Sequence, residues 1–228
     1  MAVLSTNARR RTVRRRLPAG QLTAAALVAL AAVAALVWAG GATGAPVQPG
    51  ARPPVAGDGR SVGSATAPVT IEEWADYQCP ACGTFARTTQ EQLFDTYVAA
   101  GRVRFTYRNF AFLGSESRWA AEAAQCAADE GRFWEFHDLL YASQAGEQRG
   151  TFAKAKLTAL GGTLGLGASF AACVDSGKHE RAVRDEAVAG QTLGVRATPT
   201  LVVNGRLVRG ALSMDQLRAI IDPLLAGR

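Results

Sequence analysis

The sequence predicts an α/β domain in which a central mixed sheet carries an inserted block of helices. Three observations support that reading. Two runs, VTIEEWA at residues 69–75 and VRFTYRN at 103–109, concentrate β-branched and aromatic residues with partial or full alternation. A helical region broken by glycines, about residues 112–193, is larger than a single crossover helix. Near the C-terminus Asn204-Gly205 separates two short apolar runs, and both central residues of a two-residue hairpin turn need the positive φ that Asn and Gly tolerate. The order strand, helix, strand, helical block, hairpin, helix is that of an α/β layer structure.

At 228 residues the chain holds one folded unit with extensions. Its formal charge of +6 does not indicate a nucleic-acid partner. Six arginines (9–11 and 14–16) precede residue 17, no acidic residue precedes Asp58, and the remaining 19 basic residues balance the 19 acidic ones. Residues 1–21 thus read as a basic tail. Residues 22–39 form an uncharged apolar run that, as a helix, spans about 27 Å, close to a bilayer's hydrocarbon core. The arginines before it place the N-terminus in the cytoplasm and the remainder outside. A retained anchor is favoured over a cleaved signal because the run exceeds a typical signal core and Trp38 sits at an interfacial position. Cleavage near Ala45, giving a secreted protein, is the alternative. Residues 40–66, rich in Gly, Pro, Ala and Ser, read as a flexible tether, and the folded domain is expected over residues 67–228.

Within that domain residues 69–75 form a buried strand, and residues 83–100 place Phe85, Leu93, Phe94 and Tyr97 at helical spacing. Cys79 therefore lies where a strand turns into a helix. Residues 103–109 form the second strand, and the hairpin at 204–205 follows the helical block. Ser213, with Gln216 three residues on, caps the last helix as a capping box.

The chemistry concentrates in Cys79-Pro80-Ala81-Cys82. A cysteine at a helix start is stabilised as a thiolate by backbone N–H groups and the helix dipole, and the thiolate is the species that attacks disulfides. Pro80 suits the first helical turn, where its missing N–H would have no partner anyway. Ala81 offers the thiolate no further donor, which predicts a weaker oxidant than one with a histidine there. A zinc site needs a second close pair, yet the other cysteines are Cys126 and Cys173, and His137 and His179 stand alone. No metal is assigned, both histidines are read as structural or solvent-facing, and no cofactor is expected beyond a redox-active Cys79–Cys82 disulfide. A purely structural disulfide is the remaining alternative.

The segment APVTIEEWADYQCPAC at residues 67–82, with Tyr107-Arg108-Asn109-Phe110 and Ala197-Thr198-Pro199-Thr200, resembles the DsbA-like branch of the thioredoxin superfamily, in particular its membrane-anchored bacterial members. The resemblance covers about residues 63–226. It implies a thioredoxin fold with a helical insertion and thiol–disulfide exchange on extracytoplasmic proteins. It makes Cys79 the nucleophile, Cys82 the resolving cysteine and Pro199 a cis-proline facing the active-site disulfide, which leaves the Thr198 backbone free to pair with an extended substrate. It also places Glu73 on the superfamily's buried acid near the resolving cysteine. Strand parity agrees, because Glu73 lies on the side of Val69 and Ile71, with Glu72 opposite. An edge-exposed glutamate is the alternative. Cys126 and Cys173 each share a helical face with apolar residues, and some members of the family carry a second disulfide in the helical block, so the two are expected to pair. Two unpaired core thiols are the other reading. Phe133, Trp134, Phe136 and Tyr141 read as helix core.

Three functions compete: an enzyme that introduces disulfides into exported proteins, a same-fold reductase serving for example cytochrome maturation, and a non-catalytic exported binding domain whose cysteine pair is a clip. For the first, the implied partners are exported proteins and a quinone-linked membrane reoxidase resembling DsbB or the vitamin K epoxide reductase homologues. No dimerisation segment is visible, so the expectation is a monomer.

Overall fold

A computed structural model describes residues 55–56 and 59–227. The basic tail, the apolar run and most of the tether lie outside the described residues. Among those described, no helix is long and apolar enough to cross a membrane.

Six strands form one mixed sheet in the order β1-β2-β4-β3-β5-β6. Central β3 (Val69–Ala75) runs parallel to β4 (Val103–Asn109) and antiparallel to β5 (Thr200–Val203), which continues into β6 (Arg206–Arg209). The hairpin forms as its turn residues require, with φ of 45° at Asn204 and 82° at Gly205. Asn204 also ties the turn to β3, its side-chain oxygen accepting from the Thr70 N–H at 2.8 Å.

The folded domain begins earlier than its composition suggests. Two short strands, β1 (Val55–Ala56) and β2 (Ser61–Val62), fall inside the expected tether, and β2 pairs antiparallel with β4. Composition misses them because backbone pairing onto an existing strand needs only two residues and no apolar run. Side chains then fix the pairing: Val62 is fully buried, the Ser61 and Thr106 hydroxyls lie 2.8 Å apart, and Arg60 Nη1 donates to both carboxylate oxygens of Glu186.

From Pro80 to Val98 the chain is continuously helical, as α1 (Pro80–Phe85), a π-helical turn (Ala86–Gln90), α2 (Glu91–Leu93) and a second π-helical turn (Phe94–Val98). The inserted block comprises α3 (Ser115–Asp129), α4 (Phe133–Ala142), α5 (Lys154–Thr163), α6 (Ala168–Ser176) and α7 (Glu180–Leu193). Helix α8 (Met214–Ala226) closes the fold, and Ser213 and Gln216 form the expected capping box. Glycine at 190 lets α7 lie against the sheet, since a Cβ there would meet the rings of Trp74 and Phe110.

Cys126 of α3 and Cys173 of α6 form a disulfide with their Cα atoms 5.9 Å apart. The bridge closes a loop of 47 residues within the insert. Replacing both cysteines with alanine is expected to lower the unfolding free energy by about 4 kcal/mol, the chain entropy released by a loop of that length. Denaturant unfolding with Cys79 and Cys82 kept reduced checks this, and a loss below about 1 kcal/mol contradicts it. His179 lies near both sulfurs, but these are bonded to one another, and its Nε2 instead contacts Asp129 Oδ2 at 2.7 Å.

Candidate active site

The site is assembled where the end of β3 meets the start of α1. Cys79 occupies the N-cap in an extended conformation, as a residue before proline must, and Pro80 opens the helix. Cys79 and Cys82 are unbridged here, Cys79 being 8% exposed and Cys82 0%. Of the two residues, Cys79 alone keeps any exposure to solvent. The Thr198–Pro199 peptide bond is cis, and the Thr198 carbonyl accepts from Cys79 Sγ at 3.4 Å.

The environment separates the two thiols electrostatically. The Cys82 thiol donates to Cys79, and with the Thr198 side chain and the N–H groups of Cys82 and Ala81 this lowers the Cys79 pKa from 9.0 to about 6, against the cost of burial. Cys82 moves the other way, raised well above 9.0 by burial, by its hydrogen bond to Cys79 and by the charge of Glu73. At neutral pH the pair thus holds one thiolate, on the outer sulfur.

Glu73 lies on the inner face of β3, paired in register with Tyr107 and Leu201, and is fully buried. Neither of its carboxyl oxygens has a hydrogen-bond partner among the described residues. Burial, with the nearby Cys79 charge, raises its pKa from 4.5 to about 8. Glu72, opposite, accepts from Arg108 at 2.7 Å at the surface. An acid neutral at pH 7 therefore lies in the field of the inner cysteine.

Sequence reasoning missed the supports of this site. Tyr77, Tyr107 and Tyr141 pack around His137, which is completely buried, the structural one of its two expected roles, with Nδ1 3.3 Å from the Tyr77 hydroxyl. Phe133, Trp134, Phe136 and Tyr141 are core, as their spacing predicts. Asp76 pins the active-site loop to its surroundings. One oxygen accepts from Gln78 N and Ser117 Oγ, the other from the N–H groups of Phe112 and Leu113. Beyond the Gln78 N–H, two residues along, no local pattern reveals the Asp76 pairings, because Phe112, Leu113 and Ser117 lie about forty residues away and meet it only after the chain packs.

Fold and site together define a DsbA-like thiol–disulfide oxidoreductase: a thioredoxin fold with a helical insert and a dithiol at a helix start, facing a cis-proline. A family model described as thioredoxin matches residues 56–223, and the chain belongs to that family. Disulfide bond formation protein D of Bacillus subtilis is 27% identical over 177 residues, covering 73% of this chain and 77% of that protein. A probable disulfide bond formation protein D of Bacillus anthracis is 30% identical over 173 residues, covering 72% and 76%. The crystal structure of oxidised BdbD from Bacillus subtilis superimposes with a TM-score of 0.69 at 26% identity, over 77% of this chain and 97% of that one.

Proposed function

We propose that the protein works outside the cytoplasm as a dithiol oxidase, introducing disulfides into exported proteins through Cys79 and Cys82. In the oxidised form a thiolate of the substrate attacks Cys79 Sγ, the Cys79–Cys82 bond breaks, and Cys82 leaves with the electron pair. Glu73, neutral at pH 7, gives its proton to the departing Cys82 sulfur. A second substrate thiolate then attacks the substrate's own sulfur in the mixed disulfide. The substrate disulfide forms and Cys79 departs as a thiolate, with the reduced enzyme holding the two electrons the substrate lost. The Thr198 backbone beside Pro199 borders this reaction and suits an extended substrate chain. Pro80 and Ala81 shape the loop between the sulfurs.

The observation that carries this reading is the split between the two thiols. A nucleophile held near pKa 6 is a good leaving group and stabilises the reduced form, which is what makes a disulfide an oxidant. Reoxidation falls to a quinone-linked membrane partner of the DsbB or vitamin K epoxide reductase kind. The apolar run at residues 22–39 supports a single membrane anchor with the N-terminus inside, which would keep the domain near that partner.

Equilibration with glutathione tests the direction. At pH 7 in a mixed glutathione buffer the dithiol form is expected to dominate, and the oxidised protein is expected to restore activity to a reduced, disulfide-requiring substrate. A protein that stays disulfide-bonded until strongly reducing conditions is a reductase, and one whose Cys79–Cys82 bond does not exchange is a clip.

A further inference from the structure

The loop that presents Cys79 is gripped from the inserted block as well as from its own strand and helix. Gln144, in the segment after α4, uses its side-chain amide nitrogen to donate to two main-chain carbonyls, Tyr77 at 2.7 Å and Cys79 at 3.0 Å. Its amide oxygen accepts from Arg87 Nη1 at 3.3 Å, and the same Arg87 nitrogen donates to the Tyr141 carbonyl at 2.7 Å. The carboxamide reaches these carbonyls by passing over Gly83, where any Cβ would collide with it. The Cys79 carbonyl is also the first acceptor of α1, receiving the Gly83 N–H at 3.1 Å.

A primary amide has two N–H donors, and here each meets one carbonyl, so a single side chain fixes the relative orientation of the peptide planes on either side of Gln78 and Cys79. The guanidinium of Arg87 on the amide oxygen polarises the group and strengthens both donors. Glutamate lacks the donors, and alanine lacks the group. Neither the Cys-Pro-Ala-Cys motif nor Thr198-Pro199 supplies this restraint.

We propose that Gln144 is a positioning residue for dithiol exchange: by clamping the Tyr77 and Cys79 carbonyls from the helical insert, it holds the Cys79 sulfur against the first backbone N–H groups of α1. It acts through Cys79, so the inference rests on the reading of Cys79 as the nucleophile. It also gives Gly83 a role, that of leaving room for the clamp.

The test is thiolate titration of the reduced full-length chain by absorbance near 240 nm, paired with glutathione equilibration, for the wild type, Gln144→Ala, Gln144→Glu, Gly83→Ala and the double variant Gly83→Ala/Gln144→Ala. Gln144→Ala is expected to move the Cys79 midpoint up by about one pH unit, lowering the reduced-to-oxidised ratio at pH 7 about fivefold. Gln144→Glu is expected to shift it at least as far. Gly83→Ala favours the helix intrinsically yet expels the carboxamide, so it should produce the same shift. The double variant should shift no further than either single one, since both remove one contact. Variants that lose thermal stability while the Cys79 midpoint stays in place overturn the proposal, and so do additive shifts in the double variant. A wild type whose Cys79 titrates like an ordinary thiol overturns the nucleophile reading itself, a result distinguishable because it appears before any substitution.

Discussion

Cys79→Ser is expected to abolish disulfide exchange, whereas Cys82→Ser is expected to leave a protein that reacts once and stops. The difference follows from exposure and charge. The outer sulfur is the accessible one and is ionised at neutral pH, while the inner sulfur is buried and neutral. Serine at 79 removes the atom that carries the mixed disulfide, and an alkoxide is far too basic to replace it, so turnover should fall to the rate of the uncatalysed thiol reaction. Serine at 82 can still donate to the Cys79 sulfur but cannot expel a bound partner, so a covalent adduct should accumulate on Cys79. Non-reducing electrophoresis and intact mass after incubation of each reduced variant with a disulfide-bonded protein substrate read both outcomes, since the Cys79 thiolate attacks the substrate disulfide and the other substrate sulfur leaves as a thiolate. Adducts found on Cys82 rather than Cys79 would reverse the two roles.

Glu73→Gln is expected to slow exchange about a hundredfold at neutral pH, at the low end of what a positioned proton donor contributes, and at the same time to make the protein more stable. In the folded state the carboxyl has a pKa of about 8, above its ordinary 4.5. Folding therefore takes up a proton. The wild type is most stable, relative to an uncharged reference, below about pH 4.5, and loses stability as pH rises until the carboxyl ionises near 8. Glutamine has no such slope. The variant should match the wild type in acid and exceed it by about 3 kcal/mol at pH 7, the cost of keeping a buried carboxyl protonated when solvent would ionise it. Denaturant melts of the reduced proteins between pH 4 and 9 measure the divergence. In the wild type the exchange rate per substrate thiolate should fall as pH passes through about 8 and the donor is lost. The variant should lack that fall. Equal stability slopes in the two proteins would show that Glu73 titrates as a surface group does, and equal rates across pH would leave it no part in proton transfer.

Such an exchange of stability for function is consistent with the packing around Glu73. A carboxyl sits fully buried on the central strand, without a partner for either oxygen among the described residues, where an apolar side chain would cost nothing to bury. The aromatic shell of Tyr77, Tyr107 and Tyr141 keeps the region dry, and the charge of Glu73 is felt at each of their hydroxyls. That dryness is also what separates the two cysteines: the same burial that raises Cys82 leaves it able to give its hydrogen bond to Cys79.

The sequence by itself determined the features whose causes are local. Alternation placed β3 and β4, and strand parity put Glu73 inward and Glu72 outward. Positive-φ chemistry placed the Asn204-Gly205 turn, side-chain capping placed the start of α8, and Cys-Pro-Ala-Cys after a strand placed the dithiol at a helix start. Each depends on residues within a few positions of one another, where periodicity and backbone sterics act directly. Tertiary structure decided the rest. The strands before residue 63 exist because β4 offers them an edge, which their own composition does not announce. His137 is buried because three tyrosines from two strand ends and a helix close over it. Gln144, an ordinary polar residue in a loop of small residues, acquires its two carbonyl contacts only because the insert folds back over Gly83. Even the Cys79 pKa is a tertiary quantity: the motif supplies the helix N–H groups and the second thiol, but the side chain of Thr198, which lowers it further, comes from 119 residues away. Local interactions are written in neighbouring residues and can be read there, whereas hydrogen bonds that satisfy buried or bent backbone are made by whichever distant side chain the packed core delivers.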